Sequence, residues 1–256
     1  LLDKGEEVHV LDDLSTGKKE NLNPAASFHK MDICNPGLNK LICSIRPEVV
    51  FHLAAQVSVP RSLVNPYEDT RVNVLGTVNL LEACVQAGVK RVIFSSSAAV
   101  YGIPQYLPID EEHPLLTISP YGASKVVAEK YLQLYNRIYG LEYVILRYAN
   151  VFGPRQDADG EGGVVSIFAQ AVRNKRPLKI YGDGEQTRDF IYVKDIVRAN
   201  LAALSCTSAI TVNVSTEKAT SVNQLANVLN RIGNFSSLIK HEPERKGDIR
   251  DSILCN

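Results

Sequence analysis

Tyr121 and Lys125 stand four positions apart in the run Tyr-Gly-Ala-Ser-Lys, directly behind Pro120. On a helix this spacing puts both side chains on one face, one turn apart. A proline suits the first helical turn, so Pro120 marks the start of that helix. A fixed ammonium beside a phenol favours the phenolate and lowers a tyrosine pKa from its ordinary value of about 10. The pair is therefore expected to act as a general base toward an alcohol. Spacing alone is weak, because many surface helices carry a tyrosine and a lysine one turn apart.

A second feature raises its weight. The run from Phe94 to Gly102 reads Phe-Ser-Ser-Ser-Ala-Ala-Val-Tyr-Gly. The apolar stretch Arg91 to Phe94 reads as a strand, and it delivers Ser95, Ser96 and Ser97 to its carboxyl end. Open parallel sheets bind their ligands at that edge. Three serines are otherwise an ordinary polar strand end. With the Tyr121/Lys125 pair they make a catalytic group of serine, tyrosine and lysine.

The elements that must position these residues follow from hydrophobic patterning. Strands are expected at 8–11, 27–31, 48–54, 91–94 and 143–146; the near-continuous apolar run Glu48 to Ala54 suits a parallel strand buried on both faces. Helices are expected at 67–87, with Val72, Leu75, Val78, Leu81 and Val85 inward, and at 120–139, with Val127, Tyr131, Leu134 and Ile138 inward. Alternating strands and helices give an α/β fold with a doubly wound parallel sheet. After about residue 150 the pattern becomes less regular. Helices near 164–173, 193–204 and 221–232 and loops at 160–163 and 182–184 read as a smaller lobe. The division expected is 1–150 for a cofactor-binding domain and 151–256 for a substrate lobe whose strands can return to the sheet.

Bulk composition excludes several classes. Of 256 residues, 28 are Lys or Arg and 28 are Asp or Glu, so no net field draws in nucleic acid or an anionic membrane. The five cysteines are widely spaced with no Cys-x-x-Cys, which argues against a disulfide framework or zinc site and suits the cytoplasm. The histidines are scattered, so no metal site is expected. No apolar run reaches the ~20 residues of a membrane span.

The segments FSSSAAVYG, SPYGASK, LRYANVFGPRQ, GDGEQTRDFIYVKD and ERKGDIRDS follow one another in an order that resembles the extended short-chain dehydrogenase/reductases. They are most similar to the UDP-hexose 4-epimerase branch of the NAD-dependent epimerase/dehydratases. The resemblance implies a Rossmann-like sheet, NAD as cofactor and a UDP-sugar as substrate. It implies catalysis by Ser97, Tyr121 and Lys125, with Ser97 and Tyr121 on the sugar and Lys125 also on a cofactor ribose. Asp12 would take the adenosine ribose hydroxyls, which favours NAD over NADP. Asp13 and Ser15 would line the same pocket, and Asp32 and Ile33 would border the adenine. Leu53, Ala54, Ala55 and Gln56 would pass under the cofactor, with Asn73, Ser95 and Tyr148 near the strand ends and the nicotinamide. On the substrate side, Asn150, Arg188 and Arg245 would hold the diphosphate, Asp248 a uridine ribose hydroxyl, and Tyr181 the uracil edge. Paired donors make arginine suited to a diphosphate.

A dinucleotide fold also needs a glycine-rich turn roughly 20 residues before the ribose carboxylate. Only 11 residues precede Asp12, and Leu1 to Gly5 reads as a helix end, so that turn is expected in a segment before Leu1, with further chain beyond Asn256. The reaction implied is epimerisation at C4 through a 4-keto sugar. Related dehydratases and decarboxylases carry an acid beside the active-site hydroxyl, where this chain has Ala98 and Ala99. A non-catalytic NAD-binding scaffold is disfavoured, because Tyr121 and Lys125 are both present. Ser252 stands where family epimerases set the space beside the sugar 2-position, and its small size predicts that N-acetylated hexoses fit. In the family, helices placed like those near 67–87 and 120–139 commonly form a four-helix dimer interface, so the resemblance implies a homodimer.

Overall fold

The computed structural model describes residues 1–157, 163–234, 238–244 and 249–256. The first half runs β1 (His9–Asp12), β2 (Ser27–Lys30), α1 (Leu38–Ile45), β3 (Val49–His52), α2 (Val59–Val64) and α3 (Pro66–Thr70). A π-helical turn (Arg71–Gly76) leads into α4 (Thr77–Ala87), then β4 (Arg91–Ser97), α5 (Pro120–Tyr139) and β5 (Glu142–Tyr148). The second half contains β6 (Asn150–Phe152), α6 (Val164–Arg173), β7 (Leu178–Tyr181), β8 (Thr187–Tyr192), α7 (Val193–Ala203), β9 (Ile210–Val214), β10 (Ala219–Ser221), α8 (Val222–Ile232), β11 (Ile239–Glu242) and β12 (Asp251–Ser252).

The serine-bearing strand lies inside a parallel sheet of order β3-β4-β5-β9. Successive side chains of a strand point to opposite faces. Val92 and Phe94 of β4 and Ile145 of β5 join Leu80, Leu81, Cys84 and Leu132 from α4 and α5 on one face. Ile93, Val144 and Leu146 pack with Ala203 of α7 on the other. Both faces are covered, which explains the continuous apolar runs. β1 and β2 pair in parallel as a separate ribbon. A smaller sheet, β10-β8-β12 with β6 on β8, carries the irregular second half, while β9 of that half returns to the main sheet.

Helix α5 begins and ends where the sequence indicates. Ser119 Oγ accepts from the Gly122 N–H at 3.1 Å, Pro120 fills the first turn, and Gly140 closes the helix at φ +71°. Such a serine cap is worth about 1 kcal/mol. The expected inner faces are corrected. Val127, Leu134 and Ile138 face outward, and the buried face of α5 carries Tyr121, Ser124, Lys125, Ala128, Glu129, Leu132 and Tyr135. Polar pairing inside lets charged residues occupy that face, so hydrophobicity marks the wrong side. The helix expected over 67–87 is broken by the π-helical turn, whose extra residue per turn shifts the register. Asn73 and Gly76 therefore turn inward and Leu75 outward.

Candidate active site at the carboxyl edge of the sheet

Register places Ser95 of β4 opposite Leu146 and Ser97 opposite Tyr148 of β5. The three serines have separate tasks. Ser95 Oγ lies 3.2 Å from Tyr148 Oη, and its carbonyl accepts from Lys125 Nζ at 2.9 Å. Ser96 Oγ donates to Glu129 Oε1 at 2.6 Å. Ser97 Oγ accepts from the Ala99 N–H at 3.2 Å and caps the 3-10 turn Ala98–Val100. The Ser97 hydroxyl lies near enough to the Tyr121 phenol to lower its pKa. Serine, tyrosine and lysine thus meet at the strand end. Gly122 permits this approach: a Cβ there would lie 2.5 Å from the Ala99 carbonyl oxygen.

The expected acidification of Tyr121 by Lys125 is corrected. Burial pushes the phenol pKa up, the Ser97 hydroxyl lowers it only in part, and the charge of Asp69 raises it further. Lys125 Nζ sits 5.9 Å from the Tyr121 ring centroid and 4.8 Å from that of Phe94. Burial pulls Lys125 itself down to about 8, with the charges of Asp69 and Glu129 opposing. Desolvation, which the sequence does not display, outweighs the ammonium's influence on the phenol.

Beneath the pair lies a polar network. Asn73 Nδ2 donates to the Gln56 carbonyl, to Ser124 Oγ at 3.0 Å and to Asp69 Oδ1 at 3.2 Å. Asn73 Oδ1 accepts from the Gln56 N–H at 2.8 Å. On the other side, Glu129 and Arg147 form a buried ion pair at 2.7 Å, and Arg147 Nη1 donates to Tyr101 Oη at 3.0 Å. Asp69, Glu129 and Arg147 were not singled out by sequence; Glu129 repeats the four-residue step of Tyr121 and Lys125, which is the one signal that points to it.

The residues expected on the cofactor side gather in a cleft of about 280 Å³ at the ends of β1, β2 and β3. It is lined by Asp12, Asp13, Ser15, Asp32, Ile33, Leu53, Ala54, Ala55 and Gln56, all expected, and by Thr16 and Arg71, which were not. Asp12 Oδ1 accepts from the Leu14 N–H at 2.7 Å and Asp13 Oδ1 from the Ser15 N–H at 2.8 Å. Arg71 donates to Asp32 at 3.0 Å. Burial pushes Asp32 up, but the Cys34 N–H and Arg71 outweigh it and hold the carboxyl below its ordinary range. A carboxylate rim, hydroxyls and small alanines suit the ribose end of a dinucleotide. Asn73, Ser95, Tyr121, Lys125 and Tyr148 belong to the strand-end cluster instead.

The residues expected on the substrate side lie in the second half. Asn150 of β6 pairs with Phe190 of β8, and Ser252 of β12 with Arg188 of β8. Three neighbouring strands thus present Asn150, Arg188 and Ser252. Arg188 Nη1 donates to the Thr187 carbonyl at 2.7 Å. Tyr181 ends β7, where its carbonyl accepts from Gln186 Nε2 at 2.8 Å. Arg245 and Asp248, and part of the loop at 160–163, lie outside the described residues. Among the described residues no cluster of metal-ligating side chains occurs, and no helix is long and apolar enough to cross a membrane.

Known proteins share this sequence pattern and fold. The model of the NAD dependent epimerase/dehydratase family matches residues 1–215. A UDP-glucose 4-epimerase of Mycolicibacterium smegmatis is 43% identical over 100% of this chain and 84% of that protein. Among solved structures, a UDP-glucose 4-epimerase of Thermotoga maritima with UDP-glucose superposes with a TM-score of 0.97 at 44% identity, covering 100% of this chain and 84% of that one. A UDP-N-acetylglucosamine 4-epimerase of Methanobrevibacter ruminantium, in complex with UDP-N-acetylmuramic acid, gives 0.94 at 39% identity, covering 97% and 81%.

Proposed function

Because this chain belongs to the NAD-dependent epimerase/dehydratase family, we propose that it inverts C4 of a UDP-hexose. The observation that carries this reading is the meeting of half-buried Ser97 with buried Tyr121 and Lys125 at the end of β4, with alanines at 98 and 99. A dehydratase or decarboxylase needs a further acid beside the hydroxyl for a second proton transfer. The methyl groups of Ala98 and Ala99 cannot move a proton.

In this reading Tyr121 takes the proton of the sugar 4-hydroxyl and later returns it, while Ser97 orients the oxygen. NAD, when bound, supplies reversible hydride acceptance at the sugar carbon together with a cationic ring. Asp12 and the cleft around Ala54 and Ala55 would hold its adenosine end, with Lys125 and Tyr148 toward the other. The phenol is raised in the free protein, so its working state depends on positive charge gathered around it: the Lys125 ammonium and the cationic ring. Asn150, Arg188, Arg245 and Asp248 would anchor the UDP portion, with Tyr181 at the base, so that the sugar can turn over between proton removal and return.

Residues 1–150 would then serve the cofactor and 151–256 mainly the substrate. The outward apolar stripe of α5, Val127, Leu134 and Ile138, together with Leu75, supports a homodimer through paired helices. Five free cysteines support a reducing, cytoplasmic setting. The test is to supply NAD and then UDP-glucose, UDP-N-acetylglucosamine or UDP-glucuronate separately and to read products by NMR. C4 epimers are expected. A 4-keto-6-deoxy sugar or released carbon dioxide would reassign the chain within its family.

A further inference from the structure

Asp69, at the end of α3, is fully buried. Its Oδ1 accepts from Gln56 Nε2 at 2.7 Å and Asn73 Nδ2 at 3.2 Å, both neutral donors, and its Oδ2 has no hydrogen-bond partner. A buried carboxylate oxygen without a partner is costly, so its retention calls for a compensating charge nearby. A hydrogen-bonded chain runs from Asp69 to the residue that precedes Lys125. Asn73 bonds Ser124 Oγ at 3.0 Å, and that hydroxyl donates to the Tyr121 carbonyl at 2.9 Å. Ser124 stands immediately before Lys125. The π-helical turn that begins at Arg71 rotates Asn73 inward to make this link.

The charged and titratable groups facing Lys125 come from every element around it. They are His52 of β3, Asp69 of α3, and Tyr121 and Glu129 of α5, with Arg147 behind Glu129; Tyr148 of β5 reaches Ser95, whose carbonyl holds Lys125. Burial, and then the Lys125 charge, pull His52 down to about 3, so it stays neutral. Glu129 is already taken by Arg147 and Ser96. Asp69 is the carboxylate of this group with no cation bonded to it, and its charge acts on both Tyr121 and Lys125.

We propose that Asp69 is a positioning residue of the site, its buried carboxylate being the counter-charge that holds the ammonium on Lys125 and the proton on Tyr121. This rests on the reading that these two side chains carry the proton chemistry. Asp69 thereby sets the pH window in which the pair works. Asp69→Asn keeps Oδ1 for both amide donors and removes only the charge.

Two readouts test it. In cofactor-free protein labelled with 13Cζ-tyrosine, with the Tyr121 resonance assigned by Tyr121→Phe, the phenol of Asp69→Asn should titrate lower by about half a unit or more. In NAD-loaded enzyme turning over UDP-glucose, both limbs of the kcat–pH profile should move to lower pH, because phenol and ammonium each lose a proton more easily. Asp69→Glu, which keeps the charge, should bring the profile back toward the parent. A folded Asp69→Asn protein with an unmoved phenol titration and profile overturns the proposal. Should Asp69→Asn not fold, Asp69→Ser is read by the same criteria. A parent protein that leaves UDP-glucose unchanged would sink the epimerase reading, while the phenol titration would still decide the role of Asp69.

Discussion

Lys125 and Ser95 are joined across the helix–sheet boundary: the ammonium of α5 donates to the strand-end carbonyl of β4 at 2.9 Å. One turn further along, Glu129 accepts from Ser96 Oγ. Helix α5 is thus fastened to β4 through two successive serines. Lys125 influences Tyr121 through space, from 5.9 Å, rather than through a bond to the phenol. Its place is set by the strand, so its loss and the loss of the phenol should be separable.

Tyr121→Phe removes the hydroxyl beside Ser97 and leaves the buried ring in place. Turnover of UDP-glucose should fall by about 10²–10⁴-fold. Bound NAD per protein, measured after acid release, should stay near the parent value. A variant that loses its cofactor along with its activity would move Tyr121 from proton transfer to cofactor retention.

Lys125 should also leave a signature on stability. Its pKa falls from 10.5 to about 8 on folding, chiefly through burial. Between those values the unfolded chain carries a proton that the folded one lacks, so this group makes stability rise with pH there, by about 1.4 kcal/mol per pH unit. The thiols of Cys34 and Cys84 act oppositely above about 9, because burial raises them to about 11 and about 12. Lys125→Met removes the lysine's share alone. Urea midpoints of the variant minus those of the parent should fall steadily from pH 8 to 10.

His52 gives the acid counterpart. Its Nε2 lies 2.9 Å from Thr77 Oγ1, and burial, assisted by Lys125, pulls its pKa from 6.5 to about 3. Between these values the unfolded chain binds a proton that the folded one refuses, so stability is lost as pH falls through this range. His52→Gln should flatten the dependence of the urea midpoint on pH below 6.5 relative to the parent. Parallel curves for the two proteins would contradict this assignment.

The buried pair Glu129–Arg147 should behave cooperatively. Glu129→Gln leaves a guanidinium buried without its carboxylate, a change that costs about 3–5 kcal/mol. Arg147→Met should cost a similar amount for the converse reason. The double change Glu129→Gln with Arg147→Met should cost less than the sum of the single ones, because no uncompensated charge remains. A urea double-mutant cycle measures the coupling, and strict additivity would contradict it.

Much of this frame was legible because local rules and tertiary packing agree. Pro120 marked the start of α5 without reference to the rest of the chain, and apolar runs marked β3, β4 and β5. The cleft residues Asp12, Asp32 and Leu53 to Gln56 were reached through ordered segments that resemble a family, and they do line one cavity. What stayed hidden depends on burial and pairing. The inward face of α5 carries Lys125 and Glu129, whose cost is offset by the Ser95 carbonyl, Ser96 and Arg147. Periodicity alone therefore selected the outer stripe. The π-helical turn leaves no compositional mark, and with it Asp69 and the inward turn of Asn73 were out of reach.

Ser252 offers a test of sugar choice. It is half-buried on β12, in register with Arg188, and its side chain is small. If it borders the sugar 2-position, a phenol ring placed there would fill the room an acetamido group needs. Ser252→Tyr should then reduce kcat/KM for UDP-N-acetylglucosamine by about 10-fold or more, while UDP-glucose turnover changes much less. Overpacking of the β8–β12 pair would instead lower both substrates together and reduce the urea midpoint. Measuring the two substrates on the same preparation separates a lost pocket from a damaged fold, and an unaltered preference would remove Ser252 from the determinants of sugar choice.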